Sequence, residues 1–263
     1  MRKLLYGSTL AVAAIFSVSV PVAQASPIPL GATCVGNCGT DGADGVVTLS
    51  PLATSSYLYI STRGGQSGAG QIAGVGGSNG SRLTTPLFSA NSGDVLEFYF
   101  NYVTSDGSGF ADYSFAELLN SSNAVAATLF TARTKPSGNT SPGFGLPAND
   151  STLTPSSSAI IPGGPVWSEL GSDSGACYSN GCGYTGWIQA AYTIATAGNY
   201  SLSFGVTNWQ DTAYDSGLAI DGVTIAGNPV IPTPTPEPAS LSLMALGLIG
   251  LGAIRRRGAT KLS

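Results

Sequence analysis

Histidine is absent from all 263 residues. Without an imidazole, the chain cannot build a Ser-His-Asp triad, a Cys-His pair or a His-ligated zinc or iron site. The metals that remain are those that accept oxygen ligands, chiefly calcium. Basic residues are scarce as well, because six of the ten lysines and arginines lie in the first three or the last nine residues.

The body of the chain is strongly acidic once these ends are set aside. Only Arg63, Arg82, Arg133 and Lys135 oppose fourteen Asp and Glu residues, which leaves a net charge of −10. Such a body repels nucleic acid and anionic lipid and attracts cations. Since there is no basic patch, we exclude nucleic acid as a partner.

Long amphipathic helical patterns are also missing, and short β-type runs between turn residues take their place. The clearest is Asp94–Val103, in which Leu96, Phe98, Phe100 and Tyr102 share one face, as a half-buried strand requires. Further predicted strands are Tyr57–Ile60, Asp112–Leu119, Ala124–Ala132, Trp187–Ile194, Tyr200–Thr207 and Gly217–Ile225. Gly64–Gly80 and Lys135–Pro165 are predicted to be long surface loops.

About eight strands at this spacing predict an all-β fold, an antiparallel β-sandwich of the jelly-roll type. We assign the sandwich domain to residues 26–228 and a stiff Pro/Thr-rich spacer to residues 229–238. Internal repeats, which would indicate a propeller or a solenoid, are absent from the sequence. The sequence does not indicate an oligomeric state.

The first 25 residues have the layout of a signal peptide. A basic start and an apolar stretch lead to Ala23-Gln24-Ala25, a small-x-small site that predicts cleavage before Ser26. The alternative is an N-terminal membrane helix, against which Pro21 and this site argue. The chain is therefore expected to use the Sec machinery.

The last residues combine three features within residues 236–258. They are the tripeptide Pro236, Glu237, Pro238, an apolar run over Ala239–Ile254, and the basic cluster Arg255, Arg256, Arg257. About twenty apolar residues are usual for a full membrane span, so this short C-terminal helix makes a weak permanent anchor. The layout resembles the PEP-CTERM sorting signal of Gram-negative bacteria. The resemblance implies transient insertion in the inner membrane, removal of the tail by an exosortase, and delivery to the cell surface or exopolysaccharide matrix.

Four stretches of the body carry a second resemblance: FNYVTSDGSGFADYSFAEL, LFTARTKPSGN, CYSNGCGYTGW and FGVTNWQDTAYDSGLAIDGV. They resemble a PEP-CTERM protein family without an assigned function, over most of Cys34–Val223. The last stretch also resembles the final strands of jelly-roll domains in other exported bacterial proteins. This resemblance supports the fold and implies no activity.

The four cysteines form two close pairs, Cys34 with Cys38 and Cys177 with Cys182. Export to an oxidising compartment favours disulfides over a metal site of four thiolates. Three connectivities are possible. Two local loops are favoured, and a cross-chain arrangement is the alternative.

Oxygen-bearing side chains in Gly-rich turns predict calcium as a possible cofactor. One group is Asp106 with Asp112, and a second is Asn208, Asp211, Asp215 and Asp221. A weaker third group is Asp41 with Asp44. The alternative is that these residues only form turns, since Asp side chains accept hydrogen bonds from nearby backbone amides.

Aromatic residues next to Asp, Asn and Gln are candidates for stacking on sugars of an exopolysaccharide. Trp187, Trp209 and Tyr214 are the main candidates, with Tyr178 and Tyr184 beside them. The alternative is that these rings belong to the core.

Three functions follow from these patterns. The favoured one is a non-catalytic surface or matrix protein that binds polysaccharide. The second is a glycan-active enzyme with a carboxylate pair, for which Glu97 and Glu117 are the candidates. The third is a structural matrix protein without a ligand.

Overall fold

A computed structural model describes residues 28–231 of the chain. The predicted signal peptide with its cleavage residues Ala23, Ala25 and Ser26 lies outside the described residues, as does the tail from Pro236 to Arg257. No helix among the described residues is long and apolar enough to span a membrane.

The described chain is nearly all β. The strands are β1 Thr33–Val35, β2 Asn37–Asp41, β3 Tyr57–Ser61, β4 Gln66–Ser67, β5 Asn79–Thr84, β6 Phe88–Ala90, β7 Val95–Thr104, β8 Tyr113–Asn120, β9 Val125–Arg133, β10 Asn139–Ser141, β11 Thr152–Thr154, β12 Ser158–Ala159, β13 Ile161–Pro162, β14 Gly183–Tyr184, β15 Ile188–Thr193, β16 Gly198–Thr207, β17 Ser216–Ile225 and β18 Asn228–Pro229. One 3₁₀ helix covers Ser168–Asp173.

Two large antiparallel sheets contain most of these strands. The seven-stranded sheet has the order β1-β5-β16-β8-β9, with β4 and β6 at its margins. The nine-stranded sheet has the order β11-β15-β7-β17-β3-β2, with β13, β14 and β18 beside it. A small third sheet pairs β10 with β12. The antiparallel all-β prediction is confirmed, whereas the jelly-roll topology stays a prediction.

The core lies between the two large sheets. Phe98 and Phe100 of the nine-stranded sheet and Phe130 and Phe204 of the seven-stranded sheet are at most 1% exposed. The rings of Phe100 and Phe130 stack across the interface at 3.7 Å, and Phe98 meets Phe204 edge-on at 5.4 Å. These apolar residues alternate along their strands, so one face of each sheet is buried against the other.

The first two strands turn a corner between the sheets. β1 pairs with β5 in the seven-stranded sheet, and β2 pairs with β3 in the nine-stranded sheet. The disulfide between Cys34 and Cys38 closes this corner. Gly36 has a φ of +93°, and a Cβ there would lie 2.3 Å from Ser81 Oγ. Only glycine therefore fits the turn.

Part of the predicted loop Gly64–Gly80 is strand, since it holds β4 and the start of β5. Its middle crosses the outer face of the seven-stranded sheet. The Tyr113 hydroxyl anchors it there by accepting the Ile72 amide at 3.0 Å and donating to the Gly76 carbonyl at 2.5 Å. Similarly, Lys135–Pro165 contains the short strands β10 to β13.

Candidate ligand-binding end of the molecule

Two connections meet at one end of the sandwich. Residues 105–112 join β7 to β8, and residues 208–215 join β16 to β17. They are neighbours because Thr104 is paired with Ser216 and Thr207 with Tyr113. We call these two connections the loop end. They bring together five of the six predicted calcium ligands, namely Asp106, Asp112, Asn208, Asp211 and Asp215.

Asp112 is the buried centre of the loop end. Its Oδ1 accepts the Trp209 amide at 2.8 Å, and its Oδ2 accepts the Ser216 hydroxyl at 2.6 Å. The carboxylate is 0% exposed. Burial raises the pKa of Asp112 well above its ordinary value, the Ser216 hydrogen bond lowers it, and the neighbouring Asp106 raises it further.

Asp106 is enclosed as well, with 1% of its surface exposed. Its Oδ1 accepts the Gly107 amide at 2.6 Å, whereas Oδ2 is buried without a hydrogen-bond partner. Burial raises the pKa of Asp106 to about 7, and the carboxylates of Asp211 and Asp173 add to that rise. Such an oxygen is costly to bury unless something binds it.

Asn208 is the second buried side chain with an unused oxygen. Its Nδ2 donates to Asn79 Oδ1 at 3.1 Å, and its backbone amide donates to the Asn79 carbonyl at 2.9 Å. Its Oδ1 is buried without a partner. Asp211 follows in the same loop, flanked by Gln210 and Tyr214, which have φ values of +73° and +57°. Left-handed backbone is uncommon for such residues, so this loop is conformationally constrained.

Asp215 faces a different set of groups at the margin of the loop end. Its Oδ1 accepts the Thr62 hydroxyl at 2.8 Å, and its amide donates to Asp173 Oδ2 at 2.9 Å. Burial raises the pKa of Asp215 to about 6, and Asp173 contributes to the rise. The Thr62 hydrogen bond and Arg63 lower it.

The structure separates Asp221 from the other members of its predicted calcium-ligand group, Asn208, Asp211 and Asp215. Asp221 is paired with Tyr99 along β7, whereas Ser216 is paired with Thr104 at the far end of the same strand. Its carboxylate accepts the hydroxyls of Ser50 and Thr54. Asp221 therefore lies away from the loop end and has its own donors.

The third predicted group, Asp41 and Asp44, has local partners too. Asp41 accepts the Gly42 amide at 2.7 Å, and Asp44 accepts the Ser168 amide at 2.7 Å. Within residues 28–231, no three or more Asp, Glu or Cys side chains are grouped so that they alone could hold a metal ion. Any cation site here needs amide or carbonyl oxygens beside one or two carboxylates.

Aromatic rings cluster on the outside of the loop end. Tyr178 is 49% exposed, and its ring lies 5.0 Å from that of Tyr214 and 5.6 Å from that of Phe110. We call Phe110, Tyr178 and Tyr214 the ring platform. Phe110 is not among the ligands predicted from the sequence, although its position just after Gly107-Ser108-Gly109 is a signal for a surface turn.

The two predicted tryptophan ligands have partners inside the protein. Trp209 packs on Tyr113 and carries the guanidinium of Arg133 at 4.5 Å from its ring centre. Trp187 meets Tyr57 edge-on at 5.8 Å and donates to the Thr48 carbonyl at 2.9 Å. Both rings are half-buried, so each offers less free surface than Tyr178.

The second disulfide shapes the loop that carries Tyr178. Cys177 and Cys182 are bonded to each other, which is the local arrangement that the sequence analysis favoured. The Tyr178 amide donates to the Ser105 carbonyl at 3.0 Å, so the loop is docked on the loop end. A short covalent loop holds its ring in place at a lower entropic cost than an open one.

The carboxylates proposed for hydrolysis lie on opposite outer faces. Glu97 belongs to β7 between the core residues Leu96 and Phe98, so it points out of the nine-stranded sheet, where Gln189 donates to it at 3.3 Å. Glu117 lies between core residues of β8 and lines an open groove of about 670 Å³ on the other sheet. Packed sheets are about 10 Å apart, so these two cannot flank one glycosidic bond. The predicted pair is therefore wrong.

Comparison with known proteins finds one family match. Residues 234–257 match the PEP-CTERM protein-sorting motif. The chain thus carries this sorting signal, which implies processing by an exosortase and export to the cell envelope or surface. No curated protein matches the chain.

Several solved structures are similar only at a distance. The K1 cleaved adhesin domain of Lys-gingipain from Porphyromonas gingivalis W83 is 12% identical, with 77% of this chain and 94% of that chain covered and a TM-score of 0.36. The active domain of tailspike protein 4 of bacteriophage CBA120 is 11% identical, covering 74% and 19%, with a TM-score of 0.34. An exo-beta-agarase is 13% identical, covering 78% and 24%, with a TM-score of 0.31. At these scores, the similarity carries no argument about function.

Proposed function

We propose that this protein is a non-catalytic component of the cell surface or exopolysaccharide matrix that binds polysaccharide through the ring platform. Before release, its tail inserts transiently in the inner membrane and is removed by the exosortase. The observation that carries the binding proposal is the exposed ring of Tyr178 in contact with the half-buried rings of Phe110 and Tyr214 at one end of the sandwich.

The ring platform suits a sugar chain for a physical reason. Apolar ring faces cover the C–H surfaces of a sugar, while nearby polar groups take its hydroxyls. Ser179 and Asn180 follow Tyr178 directly and are exposed, so hydrogen-bonding groups lie near the rings. The acidic body disfavours anionic polymers, so neutral polysaccharides are the expected class.

The test is retention of the full chain, in mild detergent, by immobilised neutral polysaccharides. Tyr178→Ala and Phe110→Ala should each weaken binding at least about tenfold, the effect of losing a contact residue worth about 1.4 kcal/mol. Tyr99→Ala, on the outer face of the nine-stranded sheet, is the matched control and should bind like the wild type.

Other outcomes identify the alternatives. Equal binding by the ring variants and the wild type would place the ligand elsewhere and reject the ring platform. Absence of retention by any polysaccharide would favour a purely structural matrix protein. Release of shortened sugars during the assay would favour an enzyme, with carboxylates other than the Glu97 and Glu117 pair.

A further inference from the structure

The loop end contains two buried oxygens that have no hydrogen-bond partner. They are Oδ2 of Asp106 and Oδ1 of Asn208. Asp106 is 1% exposed and Asn208 is 0% exposed, so bulk water does not satisfy either oxygen. Buried polar atoms in proteins nearly always have partners, and each exception needs a specific explanation.

The residues that carry these two oxygens are related through Asp112. Asp112 accepts the amide of Trp209, the residue next to Asn208. Its other oxygen accepts the Ser216 hydroxyl, and the charge of Asp106 acts on it directly. Asp106 and Asn208 thus belong to the two connections of the loop end that interact with Asp112, one through its charge and the other through the amide of the next residue.

The charges around this point are mainly negative. Asp211 acts on both Asp106 and Asp112, and both interactions favour the protonated acids. Arg133 also interacts with Asp112, but its Nε donates to the Ala111 carbonyl at 2.9 Å and its guanidinium lies over the Trp209 ring. Arg133 therefore does not supply a counter-charge to Oδ2 of Asp106.

We propose that Asp106 Oδ2 and Asn208 Oδ1 bind one calcium ion, with the charge of Asp211 adding to the negative potential there. Both ligands are oxygen atoms, and calcium accepts mixed sets of carboxylate, amide, carbonyl and water oxygens. The arrangement agrees with the absence of a three-carboxylate group in the described chain, because one ligand is an amide.

Calcium at this point would join the two connections of the loop end. Asp106 lies four residues before Phe110, and Asn208 lies six residues before Tyr214. The ion would therefore hold together the segments that carry two rings of the ring platform. The calcium proposal does not rest on sugar binding, since metal binding is measured separately.

The first experiment is a titration of the full chain in mild detergent with calcium chloride, followed by calorimetry and by thermal unfolding. A Kd of about 10⁻⁴–10⁻³ M is usual for extracellular calcium modules. Calcium about tenfold above its Kd should raise the unfolding midpoint by roughly 3–6 °C. Magnesium at the same concentration should have little effect, because it requires a stricter octahedral geometry.

Asp106→Asn separates a metal ligand from a merely buried acid. In chelator, this variant should unfold at or above the wild-type midpoint, since it removes an unpaired buried charge. In calcium, it should unfold below the wild type and lose the calcium-dependent rise. Asn208→Ala should weaken calcium binding at least tenfold. Asp221→Asn, a buried carboxylate with its own donors, should keep the full calcium response.

Terbium luminescence gives the position of the ion independently of stability. Tb³⁺ replaces calcium and is excited by a nearby indole, here Trp209, so Trp209→Phe should abolish the signal while Trp187→Phe retains it. Absence of calcium binding to the wild type at 10⁻² M, roughly ten times the weakest expected Kd, would overturn the proposal. Unchanged calcium binding in both Asp106→Asn and Asn208→Ala would overturn it as well.

Discussion

At the scale of the residue, several carboxylates of this protein have a raised pKa because they are fully or partly buried. Asp215 illustrates the balance, because burial raises its pKa to about 6 although the Thr62 hydroxyl and Arg63 favour its charged form. Asp173 opposes them with a like charge. A raised acid pKa means that the folded protein holds this proton more tightly than the unfolded chain does.

The direction of the pH dependence follows from this shift. The stabilisation by protonated Asp215 is complete below the ordinary aspartate pKa of 3.8 and is lost as the pH rises through about 6. We therefore expect the free energy of unfolding to fall between about pH 4 and 6, and Asp215→Asn to have a shallower fall. Urea unfolding in chelator at several pH values measures both slopes.

The control for this comparison is Thr212→Ala, which changes an exposed side chain of the same loop that carries no titratable group. It should leave the slope of the wild type unchanged. If Asp215→Asn and the wild type have the same slope, Asp215 does not titrate as its surroundings indicate.

At the scale of the element, the corner between β1 and β2 links the two sheets. Cys34 lies in a strand of one sheet and Cys38 in a strand of the other. Their sequence separation is 4, and this short crossing includes the glycine turn at Gly36. The disulfide therefore restrains the unfolded chain and also fixes a place where the chain changes sheets.

Removal of this disulfide by Cys34→Ala with Cys38→Ala should cost about 2 kcal/mol, from the loop-closure entropy of so short a loop. For a domain of this size, the midpoint of thermal unfolding should fall by about 4–8 °C. The control is the wild type in reducing agent, which should lose at least as much. An unchanged midpoint in the double variant would show that the corner is held by strand pairing alone.

The strands that the sequence predicts well are those with one apolar face. β7 and β16 have strict alternation, and their predicted bounds are within two residues of the observed ones. The sequence does not predict β5, because the strand starts in a Gly- and Ser-rich tract. Position 80 of this strand must be glycine, because a Cβ there would lie 2.2 Å from the Val206 carbonyl oxygen on the neighbouring strand. Composition suggests a loop here, whereas close packing of the backbone requires glycine.

At the scale of the whole molecule, the sequence predicts which residues carry oxygen ligands but not which of them meet. Asp106 and Asn208 are 102 positions apart and share the loop end only because β7 pairs with β17 and β8 with β16. Asp221 comes only ten positions after Asp211 but lies within β17, at a distance from the loop end. Strand pairing therefore decides the composition of the site, and local spacing cannot.

The union of the two sheets depends on the aromatic contacts between them. Phe130 is 0% exposed and stacks at 3.7 Å on Phe100 of the opposite sheet, so Phe130→Ala removes a ring contact between the two sheets. It should lower the free energy of unfolding by about 3–5 kcal/mol, measured by urea unfolding at low temperature. Phe144→Ala is the control: that ring is 42% exposed and contacts Arg133 and Lys135, so its loss should cost about 0.5–1 kcal/mol.

In a double-mutant cycle, Phe100→Ala should cost less in the Phe130→Ala background than in the wild type, because the stacked partner is already absent. Additive costs would mean that the sheets are held together by burial in general and not by this ring pair.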